Sequence, residues 1–232
     1  SWKDSLLTEL FLKASHLFET GENTQVSQKE NGTIKRLTEY LHLKGIPEYA
    51  EHLPTRYLSC YGWGEIVHHI EMALSLELES LFVRWTLESG RLAKVTLCTK
   101  DSYGLFSKIA GSMFLNRLNI LEAQIHTWGN GVALDTFYVE DATKEVERRL
   151  HHFKRDVEEI LNGKITVKDL FSKRGESKPN QQKIIPGVVA EVKVNNRDSD
   201  FYTIIEITGE DRLGILYEIT QALTDHGCNI SF

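Results

Sequence analysis

The sequence predicts an α+β chain, and three observations predict it. Apolar residues recur at helical spacing up to about residue 77, then give way to short runs of β-branched and aromatic residues. From residue 91 to 195 the elements read strand, helix, strand, strand, helix, strand. Finally, TKDSYGLFSKIAGSMFLNRLNI at 99–120 returns without a gap as GEDRLGILYEITQALTDHGCNI at 209–230. The offset is a constant 110 residues, so Asp101 falls on Asp211, Gly104 on Gly214, Asn119 on Asn229 and Ile120 on Ile230.

Taken in order, residues 1–18 place Leu6, Leu7, Leu10, Phe11, Ala14, Leu17 and Phe18 on one helical face, and the polar stretch 19–32 is a loop. Thr33 caps a second helix with Ile34, Leu37 and Leu41 inward. Gly45 ends it and Pro47 follows. IPEYAEHL predicts a short helix and GEIVHHIEMALSLE a longer one, so residues 1–77 form a helical segment. SLFVRWTL and RLAKVTLCT are strands turning at Ser89-Gly90. Helix 104–117 has Phe106, Ile109, Ala110 and Met113 inward. NILEAQIHTW and VALDTFYVE form a hairpin around Asn130-Gly131, a dipeptide suited to the positive φ angles of tight hairpin turns. Helix 141–161 carries Val146, Leu150, Phe153, Val157 and Ile160 on one stripe, and 187–195 is the last strand. The order βαββαβ gives a ferredoxin-like antiparallel sheet with both helices on one face. The first such domain spans 78–195, with a preceding hairpin strand and a basic loop at 172–183. A second begins at 196 and reaches residue 232 incomplete, without its hairpin, second helix and last strand. Its strand, expected at 201–208, must therefore borrow order from the first sheet or from another chain.

The 232 residues suffice for one large domain or two ordinary ones, and Ser1 in place of a starting Met suggests an excised piece. A net charge of −6 argues against a nucleic-acid footprint. No run approaches the roughly 18 apolar residues of a membrane span, and the first residues are no signal peptide, so neither nucleic acid nor membrane is expected as a partner. The three scattered cysteines, Cys60, Cys98 and Cys228, with no C-x-x-C, fit a reduced, cytoplasmic protein.

In the repeated stretch a strand ends, Asp appears, and three residues later Gly opens a helix. The unpaired N–H groups and positive dipole of a helix start can hold a carboxylate, and Gly removes the Cβ that would block its approach. The Asp can accept from an ammonium group. A carboxylate receiver beside an ammonium receiver describes an α-amino-acid site, and Asn119 or Asn229 can add a side-chain amide. The purely structural alternative is that Asp caps the helix, Gly permits the turn and Asn ends the helix.

DSYGLFSKIAGSMFLNRLNILEAQIHTWGNGVALDTFYVED resembles the first ACT domain of the bifunctional uridylyltransferase/uridylyl-removing enzymes of PII nitrogen signalling. EDRLGILYEITQALTDHGCNI resembles the start of their second ACT domain, and WKDSLLTELF, LPTRYL and EIVHHIEMAL resemble the helices that follow their hydrolase domain. The resemblance implies a C-terminal regulatory region that binds L-glutamine and biases the addition and removal of UMP on PII. It implies Mg²⁺ for the catalytic parts of such enzymes and no cofactor for this chain. The ligand positions it implies are Asp101, Tyr103, Gly104, Leu105, Asn119 and Ile120, with Asp211, Leu213, Gly214, Ile215, Asn229 and Ile230 in the second copy. Tyr103 and Leu213 depart from the family, which commonly has Pro there to stiffen the loop.

Catalytic residues are not expected. Gly111-Ser112 lacks the paired Asp residues of a nucleotidyltransferase, Asp198-Ser199-Asp200 lacks a preceding Gly-Ser, and no His-Asp dipeptide occurs. Glu65, His68 and His69 share a helical turn in a pattern reminiscent of a di-metal motif, which would make the chain part of a metal-dependent phosphohydrolase. A second such helix is missing, and His42 and His52 do not supply one. The remaining alternative is an oligomerisation module that associates through its sheets and binds no ligand.

Overall fold

The structure, a computed structural model, describes residues 35–175, 190–197 and 203–230. The expected helix at 1–18, the loop at 19–32, the Thr33 cap, most of the basic loop and Asp198-Ser199-Asp200 lie outside the described residues. The chain divides into two compact units, one of residues 1–71 with 128–130 and one of the rest.

In the first unit, α1 (residues 35–44) buries Leu37 and Leu41, one turn apart. Gly45 ends it at φ +73°, and the Ile46 N–H donates back to the Leu41 carbonyl at 3.0 Å, as a helix terminated by a left-handed glycine should. A 3₁₀ turn, Pro47–His52, follows, then α2 (Thr55–Cys60) and α3 (Trp63–Ser75). The core gathers on the fully buried Tyr57, whose ring meets Trp128 at 5.2 Å and Tyr61 at 5.1 Å.

The second unit holds a four-stranded antiparallel sheet: β1 (Leu81–Leu87), β2 (Leu92–Lys100), β3 (Asn119–Thr127) and β4 (Val132–Glu140), in the spatial order β1-β2-β4-β3. The expected hairpin between β3 and β4 forms, with Gly131 at φ +74°. Three helices accompany it: α4 (Leu105–Leu115), α5 (Val146–Leu161) and α6 (Val167–Arg174). The predicted stripe Val146, Leu150, Phe153, Val157 and Ile160 is buried on α5. α5 begins at Val146 rather than at Asp141, because the Asp141 carboxylate accepts from the backbone N–H of Thr143 at 3.1 Å and of Glu145 at 2.8 Å and holds those residues in a turn.

The α+β class and the antiparallel sheet under helices are as expected, but the sheet's fourth strand is not. The sequence order predicts strand 187–195 in that place. Instead β1 occupies it, paired with β2 from Leu81↔Thr99 to Leu87↔Ala93. β2 therefore has both its edges filled, by β1 and β4. A tight hairpin closes at little entropic cost, so the neighbour in sequence takes the edge before a strand some ninety residues away can. The described part of that later strand, β5 (Glu191–Asn195), pairs with β6 (Ile204–Thr208), from Glu191↔Thr208 to Asn195↔Ile204. β6 thus takes its partner from just upstream, and not from the first sheet. Shifted by the repeat offset, β5 and β6 correspond to β1 and β2.

Residues 172–174, expected within the basic loop, are the last turn of α6. A capping box starts this helix, with Thr166 accepting from the Asp169 N–H and Asp169 from the Thr166 N–H, and Gly175 ends it at φ +62°. Arg174 is drawn inward by Asp156 on α5 at 2.6 Å. The same buried carboxylate accepts from Asn116 Nδ2 at 2.7 Å.

The repeat is reproduced at the backbone. α7 (Ile215–Asp225) has Gly214 as its N-cap at φ +87°, where α4 has Gly104 at φ +70°. Each helix has eleven residues, and each C-cap, Asn116 and His226, sits at φ −97°.

Candidate functional site

α4 and α7 pack on one another, and the pairing is antiparallel residue by residue. Gly104 lies against Thr224, and Ser107 Oγ meets Gln221 Oε1 at 3.0 Å. Gly111 lies against Tyr217, and Phe114 against Gly214. Phe114 and Thr224 are equivalent positions of the repeat, as are Gly104 and Gly214. The contact at one end of the helix pair is therefore repeated at the other with the two copies exchanged.

This arrangement crosses the motifs. The first cleft is lined by Asp101, Gly104, Leu105 and Phe106 of the first copy together with Thr224, Asn229 and Ile230 of the second. Ile125, Ala133 and Asp135 of the sheet complete it. The second cleft takes Arg212, Gly214 and Ile215 from the second copy and Asn119 and Ile120 from the first. The sequence does not say which Asn accompanies which Gly, and the structure gives each loop the Asn-Ile of the other copy. Three expected residues line neither cleft. Tyr103 is exposed, with its hydroxyl donating to the Thr224 carbonyl. Leu213 packs beside Phe114, Phe171 and Tyr217. Asp211 stands outside the second cleft.

Asp101 is not the cap of α4. Its own N–H donates to the Gly131 carbonyl at 2.9 Å, and the helix has no side-chain cap. The first turn of α4 therefore presents its dipole to a cleft walled by Gly104, Leu105 and Phe106. The glycines have a further task. A Cβ on Gly104 would stand 2.9 Å from Thr224 Cγ2, so the room that glycine leaves is taken by α7.

The two clefts differ in charge. In the first, Asp135 is 1% exposed and no side chain bonds its carboxyl, which has only the His126 backbone N–H beside it. Burial pushes its pKa up to about 8, a hydrogen bond from the His126 backbone pulls the other way, and the charge of Asp101 adds to the rise. In the second, Arg212 donates twice to Glu218, each at 2.6 Å, so its charge is already matched. Sequence reasoning missed Asp135 and Arg212 as site residues. The signal for Asp135 was its place in VALDTFYV, where Ala133 and Phe137 on the same face of the strand belong to the core.

Compared with known proteins, residues 202–231 match the ACT domain. The whole chain aligns with a bifunctional uridylyltransferase/uridylyl-removing enzyme of Rhodospirillum rubrum at 30% identity, covering 26% of that protein. The corresponding enzyme of Gluconobacter oxydans matches over the whole chain at 26% identity, and that of Azospirillum brasilense over 65% of the chain at 33%. The chain is a relative of the bifunctional uridylyltransferase/uridylyl-removing enzymes. It spans about a quarter of the length of those aligned along all of it. No solved structure matches.

The ACT match contains Asp211, Gly214 and Asn229, so the second copy of the motif lies in recognised ACT sequence. Outside the ACT repeats, the residues considered for a metal are otherwise engaged. The buried His69 meets the Tyr57 hydroxyl through Nδ1 at 3.0 Å and packs edge-on to Tyr61. His68 is exposed beside Glu71, and Glu65 accepts from the Gly62 N–H at 3.2 Å. Among the described residues no three His, Cys, Asp or Glu side chains come together as a metal site. No described helix is long and apolar enough to cross a membrane.

Proposed function

We propose that this chain is the amino-acid-sensing, regulatory region of a cytoplasmic bifunctional uridylyltransferase/uridylyl-removing enzyme, that its ligand is L-glutamine, and that it biases the addition and removal of UMP on PII. The observation that carries this reading is the crossing of the repeats, with Asp101 and Gly104 in one cleft with Asn229, and Gly214 in the other with Asn119. A ligand held between two repeats alters how they pack, which is what a sensor must do to pass a signal on. In the first cleft the α-carboxylate is received at the start of α4 and the ammonium by the carboxyls of the cleft, Asp101 among them. Asn229 supplies an amide for the ligand's polar atoms. The enclosed part of that cleft is only about the size of a water molecule, so the ligand enters by shifting the segment from Thr224 to Ile230. Calorimetric titration with L-glutamine, L-glutamate and other amino acids tests the reading. Saturable heat for L-glutamine supports it, and no heat for any amino acid removes it.

A second reading has its own observation. Val192, Val194, Ile204, Ile205 and Ile207 expose apolar surface on the β5–β6 pair, which a second copy of the chain would cover. Light scattering that gives a concentration-independent monomer removes it.

A further inference from the structure

We propose that Asp135 is the principal receiver of the ligand's ammonium group, and that the first cleft exchanges a proton for its ligand. The inference rests on the amino-acid reading above and adds to it a residue and a linkage. A buried carboxyl lining a cleft, with no side chain to pair it and only the His126 backbone N–H beside it, has no structural task that the fold explains. It pairs across the sheet with Leu97 on β2 and Ile125 on β3, so it shares their face, under α4, and not that of its sequence neighbours Leu134 and Thr136.

The charged groups around it offer no cation of their own. Asp101, at the rim, is a second carboxylate. Lys100 on β2 is exposed, and Lys108 on α4 is turned to the Tyr103 carbonyl at 3.2 Å. Asp225 on α7 accepts from Gln221 at 2.6 Å. Cys98 on β2 and His126 on β3 lie on the opposite face of the sheet by strand alternation, and burial, with Asp135 adding to it, pushes the Cys98 thiol up to about 12. A cleft with two carboxyls and no free cation is built for a ligand cation. The start of α4 beside it is built for the ligand's carboxylate.

The exchange balances simply. Without ligand, Asp135 holds a proton. When an ammonium group enters, that proton passes to solvent and the carboxylate pairs with the ligand cation. Among the described residues that line the second cleft there is no carboxyl, and Arg212 there is already matched by Glu218. The proton release therefore belongs to the first cleft alone.

Calorimetric titration of the 232-residue chain with L-glutamine at pH 7, in buffers of different ionisation enthalpy, counts the protons. The expected result is release of about one proton per ligand bound in the first cleft, with affinity rising by up to about tenfold per pH unit between pH 6 and 7.5. Glutaramate, which lacks the α-ammonium, should neither release the proton nor bind to a measurable extent. Asp135→Asn should weaken L-glutamine at least tenfold and flatten the pH profile, whereas a merely structural role would change the melting temperature and leave the profile intact. Proton counting on the unaltered chain needs no variant to fold. Heat without proton release overturns this inference and leaves the amino-acid reading standing. So does Asp135→Asn binding with unchanged affinity. No heat for any amino acid overturns both.

Discussion

Gly214 and Phe114 approach so closely that a Cβ on the glycine would stand 2.4 Å from the ring's Cδ2. The repeated glycine is therefore a packing residue between the two copies as well as the opening of a helix. An alanine here meets two penalties, a backbone at φ +87° and a ring in its way. The left-handed backbone costs about 1–2 kcal/mol and the overpacking about 1–3 kcal/mol. Gly214→Ala should lower stability by the sum. Gly163→Ala, at φ +71° with open space around it, should lose only the first. Denaturant melts of the two variants measure the difference, and equal losses would show that the helix pair yields without cost.

The carboxylate of Asp156 is 2% exposed and receives Arg174 at 2.6 Å and Asn116 at 2.7 Å. Removing it strands two donors, one of them charged, between α4, α5 and α6. Asp156→Ala should cost about 2–4 kcal/mol of stability, read from the midpoint of urea unfolding. Arg174→Met should cost less, because this side chain is partly in solvent and its apolar stem is kept.

The raised pKa of Asp135, about 8 in the folded chain, fixes the sign of a pH effect. Above its unfolded value near 4 and below about 8, the folded state keeps a proton that the unfolded state has lost. This group's contribution to stability is thus fully present at low pH and declines as pH rises toward 8. Asp135→Asn removes the decline, so the variant should gain on the parent chain by at least about 1 kcal/mol between pH 5 and 7. Melts of both chains across that range check it, and a constant difference would place the ionisation elsewhere.

Much of the second unit was legible because local rules and tertiary packing agree there. The buried stripe of α5 follows its sequence spacing, and the β3–β4 hairpin closes where Asn130-Gly131 stands, with Gly131 at positive φ. α6 was hidden because its basic last turn reads as solvated loop, although Thr166 with Asp169, and Val167, Leu170 and Phe171 on one face, carry a complete helix signature. The partner of β5 was hidden for another reason. Strand pairing is a contest among edges, and no local pattern says that β1 has already filled the edge of β2. The candidate site was legible as two copies of a motif. Its crossing was not, because only the packing of α4 on α7 decides which Asn meets which Gly. Asp135 escaped notice because a carboxyl in an apolar strand announces itself only once its missing partners are known.

The central claim is that residues far apart in sequence, one from each copy, hold the same ligand. A double-mutant cycle on L-glutamine affinity tests it most directly, pairing Asp101→Ala first with Asn229→Ala and then with Asn119→Ala. Asp101→Ala alone should weaken binding by about 1.5–3 kcal/mol with little loss of stability, because this residue caps nothing. The account predicts that Asp101 and Asn229 are coupled by at least about 0.5 kcal/mol, and that Asp101 and Asn119 add within about 0.3–0.5 kcal/mol. Coupling of Asp101 to Asn119 with additivity toward Asn229 would place each site within its own copy and contradict the account.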